Sequence, residues 1–167
     1  MRSVELVPMT RALCHAFFRD FERDPAIYMD MDAFSEYRYD PAKADAYFDS
    51  QQIPSRIVFM VLLNKKPVGE VKLKNIDAEK RECTLGIHLQ NDSVKGKGLG
   101  TEAERLALEY AFKALGMDAV NADAVQKNRR SQHVLEKVGF RFLREDEMFR
   151  YYRCDRESFR PAACSRP

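Results

Sequence analysis

Apolar residues recur along this chain with two different periods, and the switches between them predict a mixed succession of strands and helices. Val4-Glu5-Leu6-Val7 reads as a short strand ended by Pro8. From Thr10 or Arg11 to about Arg23, Leu13, Ala16, Phe17 and Phe21 share one side of a helix. Residues 25–40 show no clear period, and Pro41 then opens a helix reaching about Gln51. Strands over 56–63, 67–76 and 81–89 follow, joined by Asn64-Lys65-Lys66 and Asp77-Ala78-Glu79-Lys80, which predicts an antiparallel meander. Ala103, Leu106, Ala107, Tyr110, Ala111, Ala114 and Leu115 form one apolar helix face. Thr101 and Glu104 fit a capping box at its start, and Gly116 marks its end. A strand over 119–125, a helix from Asn128 stopped at Gly139, a strand beginning at Phe142 and a last strand over 148–154 complete the series.

Ahead of the long helix stands Lys95-Gly96-Lys97-Gly98-Leu99-Gly100-Thr101, which holds three of the chain's seven glycines. Glycines let a ligand approach the backbone, and the helix start behind them offers free amides and the positive end of the dipole. An anion, phosphate or pyrophosphate, suits such a loop. The stretch fails the Walker A pattern, because no lysine precedes Thr101. It fails the dinucleotide fingerprint as well, since Thr101 occupies the third glycine position. It matches the acyl-CoA loop [QR]-x-x-G-x-[GA] at Gly98 and Gly100, with Lys95 in place of glutamine or arginine.

Downstream, Asn128-Arg129-Arg130-Ser131-Gln132-His133-Val134-Leu135-Glu136-Lys137-Val138-Gly139-Phe140 resembles the N-x-x-[SA]…G-F element of the GNAT superfamily of N-acetyltransferases. The glycine loop, long helix and strand precede it in the same order and spacing. The resemblance covers roughly residues 68–154, and Ser131 with the Leu-Glu-Lys-Val-Gly-Phe ending is most similar to the RimJ/RimL-type branch. It implies a mixed α/β GNAT fold: a central, mostly antiparallel, splayed sheet of about seven strands flanked by about four helices.

Length and composition set limits. At 167 residues the chain reads as one domain over 1–154 with a loose polar tail over 155–167. The hydrophobic fraction is 45%, and no apolar run approaches the ~18 residues of a membrane span, so no membrane partner is expected. Cys14, Cys83, Cys154 and Cys164 are widely spaced, with no C-x-x-C pair, which fits reduced thiols in a cytoplasmic protein and implies no metal. A net charge of +2 gives no sign of nucleic-acid binding.

The resemblance further implies acetyl-CoA as cosubstrate, held by backbone groups at the Ile87–Leu89 strand end, by the amides of Lys95, Gly96, Lys97, Gly98, Leu99, Gly100 and Thr101, and by Asn128, Ser131 and Lys137. A primary amine, a small molecule or a peptide N-terminus, attacks the thioester directly in a ternary complex. Many relatives carry a tyrosine seven residues after the asparagine to protonate the thiolate. Leu135 stands there in this chain, leaving Ser131 as candidate acid, with helix capping as its other role. Asn128 can equally be a cap, and Lys137 a solvated side chain. His88, Glu70 and Glu82 compete as base; histidine is the side chain that changes charge between pH 5 and 8. Asp24, Asp30, Asp32, Glu36 and Asp40 suggest a cationic acceptor, or merely a solvated acidic surface. A homodimer is plausible by branch. The missing tyrosine leaves open a second class, a non-catalytic acyl-CoA-binding module.

Overall fold

The computed structural model describes residues 4–161. Among these residues, seven strands form one sheet in the order β1-β2-β3-β4-β5-β7-β6. They are β1 (Val4–Pro8), β2 (Ile57–Leu63), β3 (Lys66–Asp77), β4 (Glu82–Leu89), β5 (Ala119–Val125), β6 (Arg141–Glu145) and β7 (Phe149–Asp155). Four α-helices accompany them: α1 (Arg11–Arg19), α2 (Pro41–Gln51), α3 (Leu99–Lys113) and α4 (Arg129–Val138). Every strand pair is antiparallel except β4–β5.

The alternation of side chains across the sheet decides what packs where. Phe59, Val61, Val71, Leu73 and Leu85 point to one face and join Ala103, Ala107, Leu108 and Ala111 of α3 in the main core. Met60 and Leu62 point to the other face, where Phe17 of α1 covers them. Cys14, Cys83 and Cys154 are buried free thiols, and burial pushes each up to about 11, away from the reactive thiolate form. Cys164 lies outside the described residues. The segment expected to be loose from Asp155 is held as far as Phe159, which is buried against Phe112 at 5.3 Å between ring centroids.

Two expected elements change. The helix drawn to about Arg23 ends at Arg19, because the chain beyond it is tied to the end of β4: Glu22 N–H donates to Gln90 O at 2.9 Å, and Asn91 Nδ2 donates to Asp20 O at 3.0 Å. The capping box is absent, since α3 begins two residues ahead of Thr101, capped by Gly98 in the left-handed region at φ 79°. That shift places Glu104 on the buried face of α3.

Gly69 of β3 stands opposite Leu89 at the end of β4, where there is no room for a side chain. A Cβ on Gly69 would lie 2.9 Å from His88 O and 2.9 Å from Leu89 Cδ2. Gly69→Ala is therefore expected to lower stability by about 1–3 kcal/mol by pushing back the end of β4, measurable by urea unfolding.

Candidate active site

Strand β4 pairs with β5 only from Glu82↔Ala119 to Leu85↔Ala122, although both strands continue past that point. Beyond Leu85 they splay. Gln90 N–H donates to Val68 O, on the β3 side. Successive residues of a strand turn their amides to opposite edges, so Leu89 and Ile87 present theirs to the open wedge. These groups need partners that the sheet does not supply.

A cavity of about 310 Å³ fills the wedge. Ile87, His88 and Leu89 line one side, Gly100 and Glu104 the floor, and Asn128, Ser131 and Val134 the far wall. The start of α3 abuts the strand end, with the Cβ direction of Gly100 aimed at Leu89 Cδ1, 3.9 Å away. Gly96 and Gly98 adopt φ values of 70° and 79°, which L side chains rarely tolerate, and so turn the chain into the helix. The first-turn amides of Leu99, Gly100 and Thr101 are left without intrahelical acceptors. Phe21, Glu22, Asp24, Ala26 and Ile27, in the strap after α1, close the last side.

The charges are arranged less simply than the lysines of the loop suggest. Lys95 Nζ is drawn to Asp24 at 2.6 Å and Asp92 at 3.0 Å, pinning the loop to the strap rather than pointing free. Lys97 Nζ bonds Ser93 O. Lys127, Arg129 and Arg130 also line the cavity, and sequence reasoning missed them. Their signal was present: two arginines in the first turn of α4 oppose the helix dipole, a placement that favours a nearby anion. Lys137 is exposed on the last turn of α4, outside the cavity lining.

Asn128 caps α4, its Oδ1 accepting from Ser131 N at 3.0 Å. Ser131 is consequently not the cap; it sits inside the first turn with its hydroxyl outside that interaction, and it lines the cavity. Leu135 is buried at 2% exposure and contributes no polar group. Buried Gln132, also overlooked, donates to Val125 O and Gln126 O at 3.0 Å each, fixing α4 over the end of β5.

The three candidate bases separate. Glu82 lies at the opposite end of β4, hydrogen-bonded to Arg153 and Asn121 and away from the wedge. Glu70 and His88 are cross-strand partners on one face, with Nδ1 of His88 3.3 Å from Glu70 Oε1. The Glu70 carboxylate also accepts from Tyr47 Oη at 2.7 Å and pairs with Lys72 Nζ at 3.1 Å. Burial works to raise its pKa, but the His88 hydrogen bond, the Lys72 charge and the Tyr47 hydroxyl outweigh it and hold the carboxyl below the usual range. Burial and the charge of Glu70 push the Tyr47 hydroxyl up, so it stays a donor. His88 itself is accessible, with its side chain 62% exposed.

The acidic segment resolves mostly into caps. Asp24 accepts from Ala26 N, Asp30 from Asp32 N and Ala33 N, and Asp40 from Ala42 N, each starting a helical turn. Asp30, Asp32, Glu36 and Asp40 do not line the cavity.

Comparison with known proteins agrees with this geometry. The model of the acetyltransferase (GNAT) domain matches residues 3–141. A Bacillus subtilis protein named "Probable N-acetyltransferase YjcK" is 47% identical over 73 residues, 44% of this chain and 40% of that protein. The spermidine N(1)-acetyltransferase of Escherichia coli is 29% identical over 82 residues, 49% of this chain and 44% of its own length. These alignments span less than half of the curated relatives. Among solved structures, the dodecameric spermidine N-acetyltransferase of Vibrio cholerae superimposes with a TM-score of 0.69 at 16% identity, covering 92% of this chain and 94% of its own. The likeness at that identity is one of fold. With a family match over most of its length, a seven-stranded sheet split between β4 and β5, and a glycine-led helix start beside the split, this chain belongs to the GNAT acetyltransferase family.

Proposed function

We propose that the protein transfers acetyl from acetyl-CoA directly to a primary amine, in a ternary complex assembled in the β4–β5 wedge. The observation that carries this reading is the pair of unsatisfied strand amides at Ile87 and Leu89 beside the open amides of Leu99, Gly100 and Thr101. A pantetheine arm supplies the missing strand partner for the first set, and a pyrophosphate suits the second. An amide of the Ile87–Leu89 edge polarises the thioester carbonyl as the tetrahedral centre forms. Arg129, Arg130 and Lys127 favour the anionic cosubstrate at the cavity mouth. Asn128 keeps its Nδ2 for a pantetheine carbonyl, its Oδ1 being occupied by the cap.

The acceptor enters past the strap, on the side of the sheet that carries His88. A primary ammonium of pKa ~10.4 must shed a proton before attack. His88 takes it, oriented by Glu70. Ser131, on the α4 side, is placed to serve the departing sulfur. With Asp30, Asp32, Glu36 and Asp40 away from the cavity, the acceptor selects on the strap residues Phe21, Glu22, Ala26 and Ile27. A peptide N-terminus of the RimJ/RimL kind or a small amine fits that wall, and an amine panel that includes spermidine ranks them. Self-association is part of the same reading, through the exposed apolar edge at Phe142, Leu143 and Met148, and sedimentation tests it.

Calorimetry against acetyl-CoA, ATP and NAD tests the ligand. Micromolar binding of acetyl-CoA alone is expected; tighter binding of ATP or NAD overturns the reading. The buried Leu135 favours one other role, an acyl-CoA-binding module without turnover. Acetylation of any amine in the panel excludes it.

A further inference from the structure

Glu104 lies four residues after Gly100 on the same face of α3, one turn and about 6 Å further along the axis from the amide cradle. Both residues line the cavity. Glu104 is 1% exposed, and its Oε2 is sealed from solvent with no hydrogen-bond partner. A desolvated carboxylate without a partner is among the costliest groups a protein can hold. Burial alone raises the Glu104 pKa to about 8, so the group is a carboxylic acid at neutral pH.

The charged residues facing the same cavity do not relieve it. They come from four directions: Glu22 and Asp24 on the strap, His88 on β4, Lys95 in the glycine loop, and Lys127, Arg129 and Arg130 where β5 meets α4. Lys95 is held by Asp24 and Asp92, His88 by Glu70, and Arg129 by Gln132. A neutral carboxyl in this position offers an O–H donor to whatever fills the wedge.

We propose that Glu104 is a neutral-acid ligand of the pantetheine arm, donating its proton to the hydroxyl or first amide carbonyl of the arm, so that acyl-CoA binding is coupled to protonation. The assignment rests on the acyl-CoA reading above. Those arm groups lie a few bonds from the pyrophosphate, within the reach of one helical turn. When the arm enters, the cavity loses water, the ionised form of Glu104 is penalised further, and the neutral form gains an acceptor. The complex therefore keeps the proton at a pH where the free protein has begun to release it.

Calorimetry on the unmodified chain from about pH 7 to about pH 9, in buffers of differing ionisation enthalpy, reads this directly. The probes are acetyl-CoA and adenosine 3′-phosphate 5′-diphosphate, which shares the nucleotide and pyrophosphate but has no arm. Above about pH 8, acetyl-CoA is expected to take up close to one proton and to lose about tenfold in affinity per pH unit, while the armless nucleotide does neither. Glu104→Gln, which keeps a donor but cannot ionise, is expected to bind acetyl-CoA within a few-fold of the parent at about pH 7 with a flat profile. Equal pH slopes for the two probes, or the parental slope retained in E104Q, overturn the role of Glu104. A flat parental profile with acetyl-CoA bound overturns that role and leaves the acyl-CoA reading intact. No acetyl-CoA binding at any pH overturns both. Proton uptake is measured without a variant, so the test holds even if E104Q does not fold.

Discussion

His88→Ala is expected to cut kcat/KM for a primary amine by about 10²–10⁴-fold near neutral pH, the range general-base removal commonly costs. The loss should fall in turnover rather than in acetyl-CoA affinity, since only the backbone of that strand end is assigned to the cosubstrate. It should also shrink as pH rises, because an acceptor of pKa ~10.4 supplies about ten times more free amine per unit and needs the base less. Stability should hardly change, as the imidazole is 62% exposed and makes one long contact. Parental kcat/KM in the variant would remove His88 from the mechanism. Glu70→Gln is the companion test and differs in kind. Its carboxylate accepts from Tyr47, Lys72 and His88, and an amide nitrogen would face donors with a donor, so a loss of about 1–3 kcal/mol is expected. The sign with pH follows from the lowered pKa. The stability Glu70 lends is present above its unfolded value of ~4.3 and is lost as pH falls through the lower folded value. Acid unfolding of E70Q should be correspondingly shallower below about pH 4.5.

How much of this was legible beforehand depends on whether the determinant was local. The Pro41–Gln51 helix and the stop at Gly139 rest on residues acting on their own backbone, and both stand at the expected positions. The end of α1 was not legible. Phe21 keeps helical spacing, but the chain is drawn off the helix by Gln90 and Asn91, about seventy residues away. The aspartates of 24–40 looked like a charged wall because a cap and a ligand contact use the same side chain, and only the neighbouring N–H groups distinguish them. The pairing of Glu70 with His88 needed the β3–β4 register. A shift of one residue would have put them on opposite faces. Glu104 is the instructive error. Thr101-x-x-Glu104 satisfies the capping pattern, yet Glu104 also keeps helical register with Leu108 and Ala111 on the buried stripe. An acid in the middle of an apolar stripe was a signal available in the sequence, and the capping match concealed it.

The same residue supports a prediction about folding that needs no ligand. Glu104→Gln is expected to flatten the pH dependence of stability between about pH 5 and about pH 8. In the folded chain the group titrates near 8 because burial disfavours its charge; in the unfolded chain it titrates near ~4.3. Through that window the folded state holds a proton that the unfolded state has released, so rising pH favours unfolding, by a little over 1 kcal/mol per unit. Below about 4.3 both states are protonated and the residue exerts no slope; above about 8 both are ionised and the loss is complete. The parent should therefore shed roughly several kcal/mol from this group between mildly acidic and mildly basic buffer, against the trend set by Glu70, whose contribution disappears on the acid side instead. The variant cannot release a proton at this position, so in urea unfolding it should match the parent near pH 4.5 and exceed it near pH 8. Parallel curves would mean that Glu104 ionises freely in the fold, that water reaches Oε2, and that the wedge is wetter than the burial of Glu104 implies.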